Sequence, residues 1–102
     1  MDKHLRNTLL YDFYGELLTQ KQREIYHMYF CDDMSLAEIG EKCGITRQAV
    51  NFSIKQAQKS LDDLDGVLEL VAKNSRMNDC LVALQSGDYD SAELILKDLM
   101  EV

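Results

Sequence analysis

Apolar side chains recur along this chain at steps of three and four, the spacing that keeps them on one side of an α-helix. Leu9, Leu10, Phe13, Tyr14 and Leu17 form the first such set and predict a helix over about 5–18. Thr19 and Gln22 then stand in the T-x-x-Q arrangement of a capping box, where each side chain satisfies a free backbone N–H at a helix start. They open a second helix over about 20–31, in which Ile25, Met28 and Tyr29 share a face that Tyr26 and Phe30 widen. Ser35 and Glu38 repeat the box ahead of LAEIGEKC, a short third helix. Gly44 follows where a helix end wants a left-handed residue, and Thr46 caps a fourth helix by accepting from the N–H groups just beyond it.

The fourth helix is the longest. Val50, Ile54, Ala57, Leu61, Leu64, Leu68 and Val71 alternate in steps of four and three, an a/d heptad. Gly66 interrupts it at a cost of roughly 1 kcal/mol relative to Ala, which makes it the place for a bend or break. The seam has two uses: packing against helices of the same chain, or pairing with a second copy in a homodimer. Ala57 and the short length favour the first. Beyond it, residues 76–86 and 91–101 read as a helical hairpin around SGDYD, with Leu81, Leu84, Leu94, Ile95 and Leu99 as its apolar side. A hairpin this small needs another surface to cover it.

Composition agrees with an all-α fold. The 102 residues include no proline and five glycines, which suits helices joined by short turns better than a sheet. The pattern divides the chain into a helical domain over 1–60 and an acidic helical extension over 61–102, which packs on that domain or on a partner chain. No apolar run approaches the length of a membrane span, and the N-terminus lacks a signal-peptide layout, so the expected address is cytoplasmic. Cys31, Cys43 and Cys80 show no C-x-x-C spacing and no cluster with His4 or His27, so no metal or cofactor is expected. The cysteines are expected to be small buried hydrophobes, with redox sensing at Cys80 as the alternative. Without a glycine-rich phosphate loop or a nucleophile motif, no catalytic residue is assigned and the chain is expected not to be an enzyme. Asp62, Asp63 and Asp65 lack the spacing of a cation loop and read as a solvated acidic face.

The segment from Leu36 to Ile54 has the spacing of a helix-turn-helix. Two helices crossing steeply about a tight turn need a small residue where the second presses on the first, and Gly40 stands four positions before Gly44. Ile39, Cys43, Ile45, Val50 and Ile54 are placed to close the wedge between them. With Gly44 at the turn, Thr46, Arg47, Gln48, Asn51, Phe52 and Lys55 point outward at the start and front of the fourth helix. Arg pairs with guanine O6 and N7, Asn or Gln with adenine N6 and N7, and Lys with phosphate. Thr46 and the helix N-terminus offer donors to a backbone phosphate. The candidate nucleic-acid-binding residues are therefore Thr46, Arg47, Gln48, Asn51 and Lys55. The bland alternative is a solvated polar face, and Phe52 is expected to fold back into the core.

Charge sharpens this picture. The chain carries −7 overall, yet residues 34–60 carry +2, while residues 61–102 carry three cations and ten anions. The one basic segment contains the candidate residues, with Lys42, Arg47, Lys55 and Lys59 within reach of a phosphate backbone. The acidic end would repel a polyanion unless it points away.

These residues also carry a resemblance. Over about 43 residues, Leu18, Thr19, Gln22, Arg23, Glu24, Ser35, Glu38, Ile39, Gly44, Ile45, Thr46, Ala49, Val50, Ile54 and Lys55 match the pattern of sigma-factor region 4. That motif usually has Ala where Gly40 stands, a change expected to be tolerated, and has no acidic tail. The whole chain, with LLYDFYGELLTQKQRE and the T-R-Q-A-V turn, resembles the YlxM family of small bacterial proteins. That resemblance implies an all-helical fold like sigma region 4, without a wing. It also implies a regulatory role in the signal recognition particle pathway, with the particle's RNA, DNA or the particle's GTPase as partner. A DNA-binding transcriptional regulator is the alternative function.

Overall fold

The computed structural model describes residues 2–101; Met1 and Val102 lie outside the described residues. Among these, six α-helices follow in order with no strand: α1 (Lys3–Tyr14), α2 (Gln20–Phe30), α3 (Leu36–Cys43), α4 (Arg47–Leu68), α5 (Leu70–Gln85) and α6 (Tyr89–Met100). The chain falls into two compact units, the first ending at Leu68 and the second beginning at Glu69.

The first unit packs α1, α2 and α3 around the buried side of α4. Ile25, Ile39, Val50 and Ile54 form one closed cluster, with Met28, Met34, Leu36 and Ile45 packed against it. Leu10, Tyr14, Tyr26, Ala57 and Leu61 are also buried. The heptad on α4 is thus consumed by helices of its own chain at Val50, Ile54, Ala57 and Leu61, which leaves no seam there for a second copy. α1 ends at Tyr14, earlier than the periodicity predicts, and Gly15–Leu17 tighten into a 3₁₀ turn. That turn rotates Leu17 into solvent and buries Leu18 instead.

Polar groups join α1 and α2 to α4 as well. The Tyr26 hydroxyl donates to Gln58 Oε1 at 2.9 Å, and Gln58 Nε2 donates to Oδ1 of buried Asn7 at 3.1 Å. Arg6 Nη1 meets Asp62 Oδ1 at 2.8 Å, and the Tyr14 hydroxyl donates to Asp65 at 2.7 Å. Asp62 and Asp65 are therefore partnered with α1 rather than standing on the solvated face expected; only Asp63, exposed and paired with Lys59 on the same helix, stands on such a face. Burial raises the Tyr26 pKa well above the ordinary tyrosine value, reinforced by the nearby Asp62 carboxylate.

The long helix runs straight through Gly66 and ends at Leu68. The break falls at Glu69, in the left-handed region at φ 56°. In the second unit α5 and α6 form an antiparallel hairpin joined by Ser86–Asp88. Gly87 takes φ 80° in this loop, and Asp88 caps α6 by accepting from Ser91 N at 3.2 Å. Its interhelix core is small: Cys80, Ala83 and Ala92 are buried with Ile95 against them, while Leu81, Leu84 and Leu94, expected on its apolar side, are exposed. Small side chains let the two backbones approach closely, and the large ones are left outside.

Candidate nucleic-acid interface

The turn between α3 and α4 is built by local chemistry. Ser35 Oγ accepts from Glu38 N and Glu38 Oε1 accepts from Ser35 N, both at 3.1 Å, so the box at the start of α3 is closed in both directions. These bonds hold the Glu38 carboxyl below its ordinary pKa range. The matching box at Thr19 and Gln22 closes in the same way. Gly44 sits at φ 70°, where a Cβ would clash with the backbone. The chain then turns so that Ile45 N donates to Gly40 O at 2.9 Å, and Thr46 Oγ1 accepts from Ala49 N at 3.0 Å.

Gly40 lies where the turn comes closest. A Cβ there would stand 2.7 Å from the carbonyl oxygen of Ile45 and 3.6 Å from Arg47 N. Even Ala, expected to be tolerated, would force the turn to move. Ile39, Val50 and Ile54 close the wedge and Ile45 partly covers it, but Cys43 is exposed. Cys43 lies beside the turn rather than beneath it. Cys31 is exposed too, so of the three cysteines only Cys80 is a buried hydrophobe. The Cys80 thiol is tucked against Ala92 O at 3.5 Å, inside the hairpin and away from oxidants.

On α4, the buried seam at Val50, Ile54, Ala57 and Leu61 leaves the opposite side to solvent. Gln48, Asn51, Phe52 and Lys55 occupy that side at positions i, i+3, i+4 and i+7. Arg47, Gln48 and Asn51 join Leu36 of α3 to line an open depression of about 410 Å³. The structure thus brings three of the five candidate residues around one hollow. Lys55 is exposed two turns along α4 from Gln48, and Thr46 is exposed but uses its oxygen as the cap. Phe52 is 65% exposed and does not fold into the core. At i+4 from Gln48 it belongs to the outer stripe, and the core positions beneath α2 are filled by Ile25 and Ile54.

Ion pairing distinguishes the cations of this region from one another. Among the described residues, Lys42, Arg47 and Lys55 have no carboxylate oxygen within ion-pair distance, whereas Lys59 is held by Asp63 at 3.0 Å. Of the four cations expected within reach of a phosphate backbone, three are therefore without an ion pair and Lys59 has one. Sequence reasoning missed Leu36 and the grouping of Arg23 with Lys42. Leu36 forms the apolar wall of the hollow. Arg23 and Lys42 line a separate open depression of about 430 Å³ with Tyr11, Glu24, His27 and Met28. No local pattern signals that grouping, because its members come from three helices.

The described residues contain no helix long and apolar enough to cross a membrane, and no grouping of three or more His, Cys, Asp or Glu that could hold a metal ion.

Comparison with known proteins agrees with this architecture. Residues 1–101 match the model of the family described as "Putative helix-turn-helix protein, YlxM / p13 like". The UPF0122 protein of Thermoanaerobacter sp. (strain X514) is 45% identical over 86 residues, covering 84% of this chain and 74% of its own length. That of Caldanaerobacter subterraneus subsp. tengcongensis is 51% identical over 76 residues, 74% of this chain and 65% of the relative. That of Halalkalibacterium halodurans is 41% identical over 87 residues, 85% and 80% respectively. The all-α helix-turn-helix chain described here belongs to this YlxM / p13-like family.

Proposed function

We propose that the protein is a non-enzymatic nucleic-acid-binding accessory of the signal recognition particle pathway, with the first half of α4 as its contact. The carrying observation is the hollow at the start of α4, where Gln48 and Asn51 converge with Arg47, a cation that no carboxylate pairs. A guanidinium and two amides within one hollow offer planar donors for base edges. The α4 N-terminus and Lys55 add the positive potential that a phosphate backbone needs. Phe52 supplies an exposed aromatic face on which an unpaired base stacks. The pathway assignment rests on the family resemblance, and with it the particle's RNA or GTPase as partner in the cytoplasm.

Titration of the full chain against the particle's RNA and GTPase in moderate salt tests this reading. Binding to the RNA, or a changed rate of GTP hydrolysis, is the expected result. If neither occurs, the reading fails. The second reading is a DNA-binding transcriptional regulator. It draws on the same Arg47, Gln48 and Asn51 as bidentate readers in a major groove, with Phe52 against a thymine methyl. It expects a sequence-selective duplex complex that Arg47→Ala abolishes, and indifference to that substitution would remove it.

A further inference from the structure

The α5–α6 hairpin carries an apolar face that its own interior does not use. On α5, Met77, Leu81 and Leu84 recur at steps of four and three, to one side of the buried Cys80 and Ala83. On α6, Tyr89, Leu96 and Met100 recur at steps of seven and four, to one side of buried Ala92. At 100° per residue each stripe lies about 90° clockwise of the interhelix contact, viewed from its own helix N-terminus. In an antiparallel hairpin two such stripes fall on the same face. The six side chains are between 46% and 74% exposed. They make one continuous apolar surface on a hairpin whose interhelix cluster is three small residues.

Charge chooses the occupant. Asp79 and Asp98 lie on the opposite face of the hairpin, reached by turning the other way from the same contact. The apolar face is bordered on α5 by Lys73 and the amides Asn74, Asn78 and Gln85, and on α6 by Asp90, Glu93 and Lys97, the last two paired at 3.1 Å, so the border carries two charges of each sign. A basic amphipathic helix would find no ring of carboxylates here. A second copy would meet a neutral border, free of the repulsion implied by the chain's −7. Glu93 and Lys97 can also exchange partners across a two-fold axis. With large side chains covering ~150–200 Å² each, the exposed part amounts to roughly 600 Å² per copy, at the lower bound for a stable pair.

We infer that this face is the site of homodimerisation, pairing two α5–α6 hairpins into a four-helix arrangement. It is not the α4 heptad, which the first unit consumes. The association follows from the hairpin alone and stands whether or not α4 binds nucleic acid.

Sedimentation of the full chain up to ~100 μM, with dissociation in roughly the micromolar range, provides the test. The expected result is a rise from monomer to dimer mass that stops there. Leu81→Ala/Leu96→Ala should weaken it at least tenfold with helicity unchanged, since Ala preserves both helices. The control pair Val82→Ala/Leu94→Ala, on the other face, should leave it unchanged. A monomer throughout, growth past the dimer, or equal sensitivity to both pairs overturns the inference. Amide exchange of the unaltered chain gives a reading independent of any variant. Protection should rise with concentration in α5 and α6 and stay constant in α2 and α3, and a uniform response overturns the inference.

Discussion

The two units solve the burial problem in opposite ways. In the first, the fully buried side chains include the large Tyr14, Tyr26, Leu10, Ile25, Ile39, Leu61 and Val50. Its exposed front on α4 is polar and cationic. In the second, the buried side chains are Val71, Cys80, Ala83 and Ala92, while most of the leucines and methionines face outward. A helical period states which residues are apolar, and it does not state which of them will be covered. The first unit has four helices to enclose its seams. The second has two, and two helices in contact can each bury only one narrow stripe. What remains outside is surface available to another molecule, so the difference separates a self-sufficient scaffold from an incomplete one.

The sharpest way to break this comparison is to truncate one side chain in each unit. Ile39→Ala, at a fully buried position, should cost about 2–5 kcal/mol in urea unfolding monitored by circular dichroism. A cost below about 1 kcal/mol would mean that the first unit is not a packed core.

Next in size is the turn. Gly40→Ala places a methyl 2.7 Å from a backbone oxygen and should cost about 1–3 kcal/mol. Gly66→Ala meets nothing within 4 Å inside a helix and should instead stabilise by about 0.5–1 kcal/mol. Chemical denaturation of the two variants should give opposite signs, which would place the tight point of the first unit at α3 against α4.

Ser35→Ala removes the cap of α3 and should cost about 1 kcal/mol. The same variant has a pH signature. The Glu38 carboxyl is held low by its bonds from Ser35, so its contribution is present above the ordinary glutamate range and is lost as pH falls through the lowered value. Unfolding measured between about pH 5 and pH 3 should therefore decline less steeply in Ser35→Ala than in the unaltered chain. The smallest effect belongs to the second unit: Leu94→Ala, at an exposed position, should change stability by no more than about 0.5 kcal/mol.

Legibility in the sequence follows the range of the interaction. Both capping boxes, the left-handed Gly44, the Thr46 cap and the Ile39–Val50–Ile54 wedge were readable, because each is written within about fifteen residues. The outward stripe of α4 was readable for the same reason, since the seam fixes its opposite. Readings failed where a distant partner decides. Asn7 is buried because Gln58, 51 residues away, reaches its side chain. Asp62 and Asp65 find Arg6 and Tyr14 at similar separation. Phe52 and Cys43 looked like core by composition, but nearer neighbours fill the space they would have taken. The end of α4 at Glu69 rather than Gly66 has no local signal, since a glycine in a helix with open surroundings is merely tolerated.

The central functional claim is that the unpaired cations around the start of α4 contact nucleic-acid phosphates. Its direct test is the salt dependence of binding to a labelled RNA and a labelled duplex, read as log K against log salt concentration. Three contacts from Lys42, Arg47 and Lys55 should give a slope of about −2 on single strands and about −3 on duplex. Arg47→Ala and Lys55→Ala should each reduce its magnitude by about 1, while Arg76→Ala, which breaks an ion pair with Asp79 in α5, should not. A slope near zero, or one that responds to Arg76→Ala as strongly as to Arg47→Ala, would contradict the claim.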